Sequence, residues 1–156
     1  MTEPSGAEDA AIPAEVALYV DSSALAKLYV PEAESDRLDR FLRGKVGLMI
    51  SELAITEVLS AVARKKRAGE LKAEVANQIR DALLADAESG SFARLQLDPA
   101  THREAERLLS GSSVPLRTLD ALHLALAFTG SATHLLTFDH RMREAAVDAG
   151  LHPVDL

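Results

Sequence analysis

Short apolar runs alternate along the chain with longer stretches in which apolar residues recur every three or four positions, the pattern of strands alternating with helices. The first run, Val16-Ala17-Leu18-Tyr19-Val20, has the length of a buried strand, and Asp21 bounds it and opens a helical stretch that ends before Pro31. Helix continues through about Phe41, a Gly44/Gly47 break follows, and Val46 to Ile50 predicts the second buried strand. Ser51 is a good N-cap for the next helix, which stops at Gly69 and carries Arg64, Lys65, Lys66 and Arg67 in its last turn, where cations complement the carbonyl end of the helix dipole. A further helix covers about Leu71 to Glu88, Phe92 to Leu97 predicts a strand, and Asp98 with Pro99 begins a helix to about Ser110. Thr118 then caps an almost wholly apolar helix through Phe128, Thr133 to Phe138 predicts a strand, Asp139 caps a last helix ending at Gly150, and Val154 falls in a final edge strand. Such alternation implies right-handed βαβ crossovers. The expected fold class is α/β, a three-layer α/β/α sandwich with a central parallel sheet of about four to five strands.

Length and composition narrow the setting. At 156 residues the chain fits one domain, expected over residues 16–156, with residues 1–15 as a flexible N-terminal tail. That tail holds Glu3, Glu8, Asp9 and Glu15 and no Lys or Arg, so it lacks the basic start and apolar centre of an export signal. No apolar run approaches the ~20 residues of a membrane span, so no membrane partner is expected. With no cysteine, disulfides, Cys-ligated zinc and thiol nucleophiles are excluded, and a cytoplasmic location is the default. A net charge of −7 argues against a protein that coats nucleic acid through bulk positive charge. It leaves room for an enzyme whose acidic site holds metal ions, since those ions supply positive charge locally.

In open α/β sheets ligands sit beyond the carboxyl ends of the strands, which directs attention to acidic residues that follow strands. Asp21 and Asp139 do so, although each is also explained as an N-cap, and Asp120 lies in a first helical turn where any carboxylate is favoured. Glu57 is harder to explain by local structure, because Leu53, Ala54, Val58, Ala61 and Val62 form the apolar stripe of its helix and Glu57 falls inside that stripe. A carboxylate there must be paired, protonated or bound to a cation. If the acids converge, two carboxylates about 4 Å apart repel by on the order of 4 kcal/mol at an effective dielectric of 20, so the cluster needs protons or divalent cations. Oxygen-only ligation selects hard Mg²⁺ or Mn²⁺, which completes its shell with water and substrate phosphate and so points to phosphodiester chemistry.

The fragments YVDSSALAKLY, SELAITEV, LRTLDALHLALA and LLTFDHRM, in this order and followed by AAVDAGLHPV, resemble the PIN-domain ribonucleases of the VapC toxin family over nearly the whole chain from Leu18 onward. The resemblance implies a PIN-like fold and an acidic quartet at Asp21, Glu57, Asp120 and Asp139, with Thr137 as the accompanying hydroxyl. It implies Asp21 and Asp120 as principal metal ligands, Glu57 and Asp139 ligating directly or through water, and Thr137 or Ser22 ordering that shell. The implied activity is Mg²⁺- or Mn²⁺-dependent endoribonuclease cleavage of RNA, such as tRNA or rRNA, in which a metal-activated water attacks phosphorus and leaves a 5′ phosphate. The implied partners are a VapB-type antitoxin and a second copy of the chain in a homodimer. A housekeeping RNA-processing nuclease of the same fold and a non-catalytic PIN-like binding module are the alternatives.

Other residues add less. The run Arg64 to Arg67 is better explained as a solvated helix end than as an RNA grip, whereas Arg117, Arg141 and Arg143 flank key acids and are phosphate-contact candidates. His123 is expected in the core or at an interface, and no HExxH spacing is present. Dehalogenase-like phosphatases need a second Asp two residues after the first, where Ser23 stands, and both Gly-rich nucleotide fingerprints are missing.

Overall fold

The structure, a computed structural model, describes residues 12–156. Its element order is β1 (Glu15–Val20), α1 (Ser22–Tyr29), α2 (Ser35–Leu42), β2 (Val46–Ser51), α3 (Glu52–Arg67), α4 (Ala73–Glu88), β3 (Ala93–Leu95), α5 (Pro99–Gly111), α6 (Thr118–Thr129), β4 (His134–Leu136), α7 (His140–Ala149) and β5 (His152–Pro153). All strand pairs are parallel, and the sheet order is β3-β2-β1-β4-β5. The expected three-layer α/β/α sandwich is therefore found, with five strands.

The period of two along each strand divides the core. Val16, Leu18 and Val20 of β1, Leu48 and Ile50 of β2 and Leu136 of β4 pack with α1 to α4. Tyr19, Met49 and Leu135, their alternates, pack with α5, α6 and α7. Both faces of the sheet are thus covered, which is why its strands read as continuous apolar runs.

Local signals place most helix starts. Asp21, Ser51, Asp98 and Asp139 each accept a hydrogen bond from a backbone N–H of the helix they open. The start of α6 differs from expectation. Thr118 is its first residue and Arg117 is the cap, and Asp120 reaches back to accept from the Arg117 backbone N–H at 3.3 Å. Strands β3 and β4 are shorter than their apolar runs suggest, because neighbours overlap them over only three residues each. Val154 lies just past β5, yet its N–H still pairs with the Leu135 carbonyl at 2.9 Å.

The tail expectation for residues 1–11 lies outside the described residues. Residues 12–15, which the sequence also assigns to that tail, belong to the folded unit: Glu15 opens β1, and residues 12–14 are docked ahead of it. Ile12 packs on the core, its carbonyl accepts from Lys45 Nζ at 3.0 Å, and the Ala14 carbonyl accepts from the Val46 N–H at 2.8 Å.

Between Glu15 and Leu18 the β1–β2 register shifts, and Gly47 stands opposite this irregularity at φ +84. A Cβ there would lie 2.4 Å from the Val16 carbonyl oxygen. Gly47→Ala is therefore expected to destabilise the fold by about 1–3 kcal/mol through the left-handed backbone, with the clash adding to it. Urea denaturation reads this, and a midpoint equal to that of the wild type would contradict the close approach.

Candidate active site

The sheet order reverses direction at β1, from which the chain proceeds to β2 on one side and later to β4 on the other. A crevice opens at such a switch point, beyond the carboxyl ends of the two adjacent strands. Asp21 follows β1 there, and Thr137 follows β4. Both are buried, at 3% exposure each. Three groups donate to the Asp21 carboxylate: the Ser23 hydroxyl at 2.7 Å, the Ala24 N–H at 3.0 Å and the Thr137 hydroxyl. Ser23 also accepts from the Phe138 N–H at 2.9 Å, and Thr137 accepts from the Asp139 N–H at 3.1 Å, so the ends of β1 and β4 are stitched together by hydroxyl groups. Ser23 enters the sequence reading only as a missing aspartate; its role needs the β1–β4 pairing, which no local pattern reveals.

No lysine or arginine forms a salt bridge with Asp21 among the described residues. Burial pushes its carboxyl above the ordinary range, and this outweighs the opposing hydrogen bonds from Thr137, Ser23 and Ala24. A buried carboxylate served only by neutral donors is a site that favours a cation.

Glu57 is half-buried on α3 and has a partner. His123 Nε2, on α6, lies 2.5 Å from Glu57 Oε2. The other ring nitrogen, Nδ1, lies 2.7 Å from the Tyr19 hydroxyl, which in turn lies 2.8 Å from Ser51 Oγ. Of the three fates open to an inward-facing carboxylate, pairing is the one observed. Burial raises the Glu57 carboxyl, but the His123 hydrogen bond, with that of the Ser22 hydroxyl, overcomes it and holds the carboxyl below its usual value. His123 is a core residue as expected, but its place in this chain of hydrogen bonds is not evident from its apolar neighbours. One clue exists in the sequence: His123 follows Asp120 by three residues, which sets both on one helix face.

Asp120 and Asp139 are partly buried, and each also caps its helix. Asp139 is linked to Asp21 through Thr137. Asp120 lies one turn before His123 on α6, and His123 holds Glu57. Hydrogen bonds thus join Asp139 to the surroundings of Asp21, and Glu57 to the helix that carries Asp120. Among the described residues, however, no three His, Asp or Glu side chains stand close enough to enclose one ion as they are. The donor set is nonetheless one of carboxylate and hydroxyl oxygens, which suits a hard divalent cation that keeps part of its water shell.

A groove of about 450 Å³ runs beside the crevice, lined by Ser23, Lys27, Arg64, Lys65, Phe138 and Asp139 among others. Lys27 is already paired with Glu32 and Glu34, and Lys65 with Glu70, whereas Arg64 forms no salt bridge among the described residues. Arg143 is corrected as a phosphate-contact candidate: it donates to the Val154 carbonyl at 2.6 Å and pairs with Asp155, which ties the chain end to α7. Arg117 and Arg141 are exposed. A larger cavity of about 590 Å³, lined by Tyr29, Lys45 and Phe92 among others, contains none of the candidate acids. Among the described residues no helix is long and apolar enough to cross a membrane.

The PIN domain pattern matches residues 18–148. Ribonuclease VapC46 of Mycobacterium tuberculosis is 37% identical over 139 residues, which cover 86% of this chain and 94% of that protein. The crystal structure of Mycobacterium tuberculosis VapC20, a sarcin-ricin loop cleaving toxin, superposes with a TM-score of 0.64 at 19% identity, covering 82% of this chain and 94% of that one. VapBC2 from Rickettsia felis, solved bound to a DNA fragment from their promoter, gives a TM-score of 0.63 at 14% identity, covering 89% of this chain and 98% of that one. The two structures support the fold, and the pattern match together with the VapC46 identity supports the family: the chain belongs to the PIN-domain family, among the VapC ribonuclease toxins.

Proposed function

We propose that this chain is a divalent-metal-dependent endoribonuclease, the toxin of a type II toxin–antitoxin pair, whose site is formed by Asp21, Glu57, Asp120 and Asp139. The observation that carries this reading is Asp21, a buried carboxylate at the switch point with hydroxyl and amide donors and, among the described residues, no lysine or arginine paired with it. Bound there, Mg²⁺ or Mn²⁺ would supply activation of a water and charge stabilisation at the scissile phosphate. Asp21 and Asp120 are the principal holders, with Glu57 and Asp139 completing the acidic rim. Thr137 and Ser23 orient Asp21, and Ser22 orients Glu57. Arg64, in the adjoining groove, is placed to meet an RNA phosphate. Membership among the VapC toxins carries the further reading that a VapB-type antitoxin neutralises the enzyme and that it works as a homodimer.

Incubation of the purified protein with total RNA, with and without Mg²⁺ or Mn²⁺, followed by mapping of the cut ends, tests the activity. Internal cuts bearing 5′ phosphates are expected only with metal. Asp21→Asn and Asp120→Asn are expected to lower the cleavage rate at least about a hundredfold, the scale of losing a major electrostatic contribution to the transition state. Equal cutting in EDTA, or near wild-type rates in both variants, would sink the metal-site reading.

The carboxyls of Asp21 and Glu57 differ in their effect on stability. A carboxyl whose folded pKa is depressed adds stability above its unfolded pKa and loses it as pH falls through the folded value. Glu57 is of this kind. Asp21 is the reverse: its raised folded pKa makes the metal-free protein lose stability as pH climbs from the unfolded value, near 4 on the usual scale, toward the folded one. In EDTA near neutral pH, Asp21→Asn is expected to melt at or above the wild type, since Asn also caps a helix well, and Glu57→Gln to melt below it. The Glu57→Gln deficit is expected to narrow as pH is lowered below about 4. Thermal melts across pH check both, and an inverted order of the two variants would contradict the assigned environments.

A further inference from the structure

Tyr19 and His123 take no part in the chemistry proposed above, yet they are the two largest polar side chains in the core, at 0% and 3% exposure. Together with Ser51, also fully buried, they form a continuous hydrogen-bonded line that ends at Glu57. The line has one direction in which every proton is used. Ser51 Oγ accepts from the Ala54 N–H at 3.0 Å, so its own proton goes to the Tyr19 oxygen. The Tyr19 proton then goes to His123 Nδ1, which must be bare, and the ring carries its proton on Nε2, facing Glu57. In the reverse direction Tyr19 would donate to Ser51, and the Ser51 proton would have no acceptor in a fully buried place.

We propose that Tyr19 and His123 are positioning residues for the site: anchored on Ser51, they hold the imidazole in its Nε2–H form so that Glu57 is fixed in orientation through one oxygen, Oε2. This rests on the reading of Glu57 as a metal-holding carboxylate. The line spans three elements far apart in sequence, β1, the end of β2 and α6, and delivers its last donor to a fourth, α3. A carboxylate with a free side chain would lose rotamer freedom on binding an ion; here that freedom is removed in advance.

The test uses the full chain. In the metal-free protein near neutral pH, ¹⁵N–¹H correlation of the histidine rings is expected to give His123 a proton on Nε2 and a bare Nδ1; a proton on Nδ1 overturns the proposal. Titration with Mn²⁺ alone, followed by calorimetry, is expected to show affinity lowered about tenfold to a hundredfold by Tyr19→Phe and by His123→Ala, the scale of losing support for a metal-holding group, with His123→Gln, whose amide can both accept and donate, closer to wild type. Glu57→Gln separates the two readings. If Glu57→Gln weakens Mn²⁺ binding while folded Tyr19→Phe binds as the wild type does, positioning is overturned and the site reading stands. If Glu57→Gln also binds as the wild type does, the reading of Glu57 as a ligand falls, and the positioning role with it.

Discussion

The burial of the Asp21 carboxylate is the constraint around which the rest of the structure is arranged. Removing a charge from water costs several kcal/mol unless it is compensated, and at the end of the central strand compensation comes from two hydroxyls and one amide. Those donors are available only because β1 and β4 lie side by side, so that Ser23 and Thr137 meet across 114 positions of sequence. The same contacts bring the Phe138 and Asp139 amides into register beneath the site. Fold and site are one arrangement here: pairing of the strands makes a place for the buried acid, and the buried acid explains the polar residues at the strand ends.

Tyr19 shows how the alternation of a strand serves more than packing. Leu18 and Val20 fill the core under α1 to α4, while Tyr19, between them, points to the other layer and carries a hydroxyl there. Its ring lies tilted against that of His123, with centroids 5.9 Å apart, so the pair is fixed by apolar contact as well as by the hydrogen bond. Burial raises the Tyr19 phenol far out of its ordinary range, ahead of the repulsion by Asp21 and Glu57 and against the Ser51 hydrogen bond, which keeps it a neutral donor.

Local chemistry explains which features are legible in the sequence alone. The caps at Asp21, Ser51, Asp98 and Asp139 and the left-handed glycines at 69 and 150 act within a few residues, so they mark element ends directly in the sequence. The inward position of Glu57 was also legible from the stripe of α3. What was not legible joins distant segments: the partner of Glu57 is 66 residues away, and Tyr19 and His123 are 104 apart. Arg143 misled for the same reason, since its closeness to Asp139 in sequence says nothing of the chain end that claims its guanidinium. Thr118 looked like a cap because the side chain that completes the turn, Asp120, is one that a simple cap rule does not weigh against it.

The margins of the sheet carry one more consequence. β3 has three residues and β5 two, the latter ending in Pro153, which has no N–H to offer. Unpaired edges invite strand addition from other chains, and brevity with proline is a known protection against it. Association with another protein is thereby steered away from backbone zippering and toward the helical flanks, where side chains rather than amides decide what is admitted.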